Sequence, residues 1–464
     1  MTASLNERSR AAVWHPCSQM KQHEVQPLLE VVRAEGAWLE DAAGRRILDG
    51  VSSWWVNLFG HGHPHLRAAL HEQLDTLCHV MLAGCTHEPV VALSERLAAL
   101  TGLGHAFYAS DGAAATEIAL KMSAHHWRNR GRPQKTQFIG LEGGYHGETV
   151  GALSVTDIPL FREAYGPLVR LSATVPSPDA RRAEPGESAA DVARRCAQAL
   201  QAVLEQRHAE IAAVIVEPLV QCAAGMAMHD PQYLVELRAL CDRYQVHLVC
   251  DEIAVGFGRT GSLFAHQQAG IRPDFLCLSK GLTGGTMALS AVLTTDEVYA
   301  SFYDDSTARG FLHSHSYTGN PLACRAALAT LEVFGQRDWM AHNAATAAML
   351  DALCEPLRAH PAVLRSRRLG MVWAFDIDTA DPLFARRYHA AALQQGLLLR
   401  PIGSTLYFMP PYVIDEAACA QLAAGAVAAL DAVFRSPDGA KRNPGAAVEV
   451  NDDPRIGIRA TRLA

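Results

Sequence analysis

No run of consecutive apolar residues in this sequence reaches the roughly 18 needed to cross a bilayer. Its first ten residues, MTASLNERSR, lack the apolar h-region of a secretory signal. Positive charge is not in excess either: 41 Lys and Arg face 48 Asp and Glu, a formal net charge of −7. That balance argues against a general nucleic-acid or anionic-membrane partner. The eleven cysteines are odd in number and scattered, with no C-x-x-C pair. A disulfide framework is not expected in so large a chain, and a zinc site lacks its spacing. The cysteines read as mostly reduced, buried small hydrophobes of a cytoplasmic protein. No repeat of solenoid period is present.

What is there is an ordinary globular composition. The chain has 464 residues, 49% apolar and 19% charged, enough for a large core and more than one domain. Residues 36–50, GAWLEDAAGRRILDG, alternate about Ala43-Gly44 and predict a hairpin. Leu66, Leu70, Leu74, Leu77 and Met81 keep a helical period. Apolar strands then alternate with amphipathic helices: AAVIVEPLV (212–220), PQYLVELRALCDRYQ (231–245), VHLVCDE (246–252) and FLCLS (275–279). Such alternation implies right-handed crossovers and an α/β fold with a mainly parallel sheet covered on both faces. From residue 321 the pattern changes to a long helix, PLACRAALATLEVF, followed by the weaker strands GMVWAFDI (370–377) and LLLRPIG (397–403). The organisation expected is a large domain over 59–330 and a smaller α+β domain formed by 1–58 with 331–436. SPDARRAEPGES (177–188) reads as a surface loop, and 437–464 as a disordered tail.

The chemistry gathers around FLCLSKGLTGG (275–285). In a doubly wound sheet the functional edge lies beyond the C-terminal strand ends. Lys280 sits just after one such end, and Asp251 closes the preceding strand, so both reach one crevice. Two readings stand: a buried Asp-Lys ion pair, or a lysine whose lowered pKa makes it a nucleophile toward a carbonyl. In the second, Asp251 serves the protonated ring nitrogen of pyridoxal phosphate. SDGAAATEIALKM (110–122) offers a helix capped by Ser110 or Asp111, with Gly112 and the first free amides placed for a phosphate; it is equally a plain capped helix. EGGYHGET (142–149) is a tight turn able to present a flat ring. GFGRTG (256–261) follows Asp251-Glu252 and leads to no clear helix, unlike a dinucleotide fingerprint.

Together, DEIAVGFGRTG (251–261) followed about twenty residues later by SKG (279–281) resembles the class III, or ω-, aminotransferases of pyridoxal-phosphate fold type I. The likeness runs from about Val13 to Phe434. WHPCSQM (14–20), SSWWVNLFGHGHP (52–64), HSHSYTGNPLAC (313–324) and RPIGSTLYFMPPY (400–412) are similar to the branch that aminates 8-amino-7-oxononanoate in biotin synthesis. The resemblance implies a seven-stranded, mainly parallel sheet, pyridoxal 5'-phosphate as cofactor, and a homodimer with shared active sites. It implies S-adenosylmethionine as amino donor, with lysine, or another ω-amine substrate in the same site, as alternatives. Lys280 matches the lysine that holds the cofactor and shuttles a proton, and Asp251 the partner of the ring nitrogen. Tyr145 matches the ring over the cofactor, which also lines the substrate site; Gly112 and Ala113 match the phosphate turn, with Ala113 standing where a serine is common. Trp54 matches an aromatic wall of the substrate pocket or a core aromatic, with Trp55 as the expected core member. Arg400 matches the receiver of the substrate carboxylate. Two stretches depart from the pattern. His313-Ser314-His315-Ser316 replaces a His-Gly-Pro-Thr loop, so that Ser316 is expected to reach the neighbouring subunit's phosphate, with His315 beside it and Ser314 on the substrate side. Cys17 replaces a substrate-contacting tyrosine and lacks its phenol.

Overall fold

The computed structural model describes residues 3–435; the tail expected over 437–464 lies outside the described residues. In chain order the strands are β1 (Val31–Glu35), β2 (Trp38–Asp41), β3 (Arg46–Asp49), β4 (His105–Ala109), β5 (Gln137–Leu141), β6 (Ala173–Val175), β7 (Ile211–Val216), β8 (Val220–Gln221) and β9 (Ala227–Met228). They continue with β10 (His247–Asp251), β11 (Phe275–Leu278), β12 (Ser290–Thr294), β13 (Val363–Leu369), β14 (Val372–Ile377), β15 (Leu397–Leu398) and β16 (Thr405–Phe408). Seven make the central sheet, in the order β4-β12-β11-β10-β7-β5-β6. All run parallel except β12, which pairs antiparallel with both β11 and β4. Strands β7, β10 and β11 are buried at every position, as expected where helices cover both faces of a parallel sheet.

The hairpin forms as expected, with Gly44 at φ +76° in its turn. It joins a four-stranded sheet, β1-β2-β3-β15, in which β3 runs parallel to β15. The N-terminal segment thereby pairs with residues near the C-terminus. A three-stranded sheet, β13-β14-β16, is tied to the loop before β9: Arg367 donates to the carbonyls of Gly225 and Met226 and pairs with Asp376. Glu416–Arg435 is the one helix among the described residues long and apolar enough to cross a membrane. Here Leu422, Ala426 and Leu430 lie in the core, and Ala426 O accepts the Tyr388 hydroxyl.

Four local readings change. The helix predicted from Leu66 to Met81 stops at Thr76, because Leu77 turns extended and the Gln73 side chain donates to its carbonyl at 2.9 Å. Its buried face is Leu66, Ala69 and Gln73 rather than the leucine row. Residues 212–220 break after Val216, with Leu219 at φ +68°. LLLRPIG forms a strand only at Leu397–Leu398, with an isolated bridge from Ile402 to Thr405, since Pro401 between them supplies no ladder N–H. Of SPDARRAEPGES, Ser177 and Asp179 are buried, with Asp179 paired to Arg181.

Candidate active site

Asp251 and Lys280 belong to neighbouring parallel strand ends: Asp251 closes β10 opposite Cys277 of β11, and Lys280 follows β11 after Ser279. Both line one cavity of about 610 Å³, within the usual range for a small-molecule site. Lys280 has φ +43°, a strained value for a side chain of its size. Its Nζ lies 5.2 Å from the centre of the Trp55 ring. Burial lowers its pKa, against the raising effect of Asp251, Cys222 and Glu217. Asp251 Oδ2 accepts from His146 Nδ1 at 2.7 Å, and Oδ1 from Ile253 N at 3.1 Å.

The DE pair divides its work. Glu252, fully buried, accepts the amides of Ala265 (2.6 Å) and His266 (2.7 Å) and the His266 ring. It ties down the loop that leaves the strand, while Asp251 faces the cavity. Within GFGRTG, Gly258 and Gly261 have φ +92° and +100°. Arg259, also buried, donates to Pro410 O at 2.8 Å and Asn57 O at 2.9 Å, joining two distant segments behind the site.

The start of the Gly112–Asn129 helix lines the same cavity, packed beside Ile253. Asp111, not Ser110, caps it, accepting Ala114 N at 2.9 Å. The amides of Gly112 and Ala113 are left for an anion at the positive end of the helix. Gly147 packs on this turn: at φ +116° it would put a Cβ 2.5 Å from that of Ala113. Tyr145 enters from the same loop; its hydroxyl donates to Glu148 Oε1 at 2.9 Å, and its N–H to Glu217 Oε2 at 3.0 Å. Burial, with Glu148, pushes the Tyr145 phenol up. Burial pushes Glu217 up to about 7, against the lowering effect of His146.

Cys17, Trp54 and Arg400, from three remote segments, meet beside this cavity. Arg400 Nη2 donates to Cys17 O at 3.1 Å, and its guanidinium lies 5.5 Å from the Trp54 ring centre. Burial and Glu148 raise the Cys17 thiol, against the smaller lowering effect of Arg400. Trp55 is the core member, as expected: it is buried in the main apolar cluster. It also borders the cavity next to Lys280, while Trp54, 46% exposed, stands outside against Arg400. Both sit on a left-handed turn, a conformation costing roughly 1–2 kcal/mol per non-glycine residue. Ser314, His315 and Ser316 do not line this chain's cavity; His315 instead meets His313, which contacts Lys121. His146, Glu148 and Glu217 line the cavity without having been picked out from sequence.

The family model for class-III aminotransferases matches residues 19–430. The chain belongs to the class-III aminotransferases. The adenosylmethionine-8-amino-7-oxononanoate aminotransferase of Helicobacter pylori is 43% identical over 428 residues, covering 90% of this chain and 96% of that protein. The crystal structure of the enzyme of that name from Methanocaldococcus jannaschii is 32% identical, with a TM-score of 0.86 over 92% of this chain and 98% of that one. A pyridoxal-phosphate-bound amine transaminase from an uncultivated Pseudomonas species is 29% identical, with a TM-score of 0.86 over 91% and 98% of the two chains. The fold of this class-III aminotransferase is the fold type I architecture.

Proposed function

We propose that this class-III aminotransferase uses pyridoxal phosphate to transfer an amino group from S-adenosylmethionine to 8-amino-7-oxononanoate, giving 7,8-diaminononanoate for biotin. One observation carries the reading: Lys280 and Asp251 face a single cavity beside which Arg400 is held on Trp54. The residues present fit the cofactor. Gly112 and Ala113 offer free amides to its phosphate, Asp251 a fixed carboxylate to its ring nitrogen, and Lys280 an amine to its carbonyl carbon.

When bound, the cofactor supplies the electron sink that lets nitrogen leave one carbon and join another. The chain supplies the rest. Lys280, kept short of its usual basicity by burial, is nucleophile and proton carrier: Nζ takes a proton at the carbon bearing nitrogen and returns one in the opposite half-reaction. Asp251, anchored by His146, holds a proton at the ring nitrogen. Trp55 and Tyr145 line the cavity with aromatic surface that excludes water, and Arg400 receives the carboxylate of the oxononanoate.

The same reading makes the protein a cytoplasmic homodimer with a large unit over 59–330 and a small one from 1–58 with 331–436. Two observations support a second copy. Ser314 to Ser316 lie away from this chain's own cavity. Nearby, Met81, Leu312 and Tyr317 are 60%, 73% and 63% exposed, on stretches joined by Asn320 Nδ2 to Cys78 O at 3.1 Å, and such apolar patches mark interaction surfaces. Lysine as donor is favoured by one feature: Glu148 puts a carboxylate at the cavity wall, suited to a distal ammonium. The test is spectroscopic. With cofactor loaded, S-adenosylmethionine should bleach the visible band and 8-amino-7-oxononanoate restore it. A band unmoved by either compound contradicts the proposal.

A further inference from the structure

Ser52, Ser53, Trp54 and Trp55 have φ of +50°, +46°, +70° and +74°. Backbone bonds run from Trp55 N to Val51 O (2.9 Å) and from Val56 N to Ser52 O (3.0 Å). This is a turn of left-handed helix made without glycine, which L-residues adopt only under constraint. The constraint centres on Asp49, whose side chain is fully buried. Its carboxylate accepts Ser53 N at 2.9 Å, Ser53 Oγ at 2.7 Å and His61 Nε2 at 2.9 Å. Asp49 ends β3, in register with Leu398 of β15, so the anchor sits on a rigid element. Ser52 Oγ adds a bond to Met409 O at 2.7 Å, and Arg259 Nη2 one to Trp55 O at 3.4 Å. The hand of the turn decides where two adjacent rings point: Trp55 to Lys280 and Trp54 to Arg400. Reversing it would carry both away.

We propose that Asp49, acting through Ser53 and with His61 behind it, is a positioning residue for the transfer. It locks the left-handed turn and thereby sets Trp55 against the reacting amine and Trp54 against the arginine that receives the acceptor. Asp49 does not itself border the cavity. The proposal rests on the reading of Arg400 as the carboxylate site.

The test uses the full chain with cofactor loaded and two readouts: amide hydrogen exchange over residues 53–57, and KM against kcat for 8-amino-7-oxononanoate. Asp49→Ala should speed exchange and raise KM by about tenfold, the scale of losing buried hydrogen bonds to a carboxylate, with a smaller change in kcat. Adding Ser53→Gly should recover most of both, because glycine enters the left-handed region freely. If Asp49→Ala does not fold, Ser53→Ala and Ser53→Gly give the same information. Both lose the hydroxyl, but only the alanine keeps the strain, so only the alanine should raise KM. Equal behaviour of the pair, or unchanged exchange in Asp49→Ala, overturns the lock. Changed exchange with unchanged KM overturns the positioning role. Wild-type protein that does not turn over this acceptor overturns the functional reading alone, and exchange then still decides the lock.

Discussion

His146 Nδ1 lies 2.7 Å from Asp251 Oδ2, with the two side chains 1% and 4% exposed. With Ile253 N on the other oxygen, the carboxylate has no freedom to turn away from the cavity. Losing a buried, charge-assisted hydrogen bond costs roughly 1.5–3 kcal/mol. Asp251→Asn should therefore slow the half-reaction at least tenfold with the cofactor still attached. His146→Phe, which leaves one oxygen unpartnered, should slow it by about the same factor. Stopped-flow traces of a single turnover decide this, and near-normal rates in Asp251→Asn would remove its role at the ring nitrogen.

Lys280→Ala should still retain pyridoxal phosphate through the helix amides and ring contacts, but without the visible band of the covalently held form. Turnover should fall by many orders of magnitude, because nucleophile and proton carrier are lost together. Absorbance of the purified variant is the measurement. A retained band would assign the attachment to another lysine.

Arg400→Met should raise KM for the acceptor by about tenfold or more while leaving the donor half-reaction close to normal, as expected for a guanidinium that binds a carboxylate. Glu148→Gln should instead weaken the donor if its cationic end is received there. Steady-state kinetics with each substrate varied in turn separate the two.

Acid should destabilise the fold through the buried imidazoles under the Gly112–Asn129 helix. His126 bonds Ser301 Oγ at 3.0 Å and His247 bonds Ser123 Oγ at 2.9 Å, with the two rings 4.7 Å apart. Burial lowers His126 to about 4, helped by Arg130, and holds His247 well below its ordinary value. Above the unfolded value near 6.5 both are neutral in either state, so their contribution to stability is complete. As pH falls from there toward 4, the unfolded chain takes up protons that the fold refuses, and stability is lost. The melting temperature should drop by several degrees between pH 7 and 5, and less in His247→Phe.

The sheet and the Lys280–Asp251 pair were legible because each rests on a short, local pattern. Fully apolar strands announce a parallel sheet, and a charged residue at a strand end announces the functional edge. What sequence did not show depends on distant partners. His146 stands inside EGGYHGET, but its bond to Asp251 joins residues 105 positions apart. Glu148 and Glu217 likewise gain meaning only when the loop of Tyr145 folds against them. The divergent directions of Trp54 and Trp55 follow from the left-handed turn, which no helical or strand period encodes. The helix from Pro64 ended early for a similar reason: Gln73 caps Leu77 with its side chain, while the leucine spacing continues past the end.

The most direct test of the account is mass-spectrometric assay of 7,8-diaminononanoate formed by the purified protein with pyridoxal phosphate and 8-amino-7-oxononanoate, S-adenosylmethionine and lysine being supplied in parallel at equal concentration. Product is expected with S-adenosylmethionine. Product with lysine alone would move the assignment of the donor to the Glu148 reading, and no product with either donor, from protein that transaminates an ordinary ω-amine, would contradict the proposed acceptor.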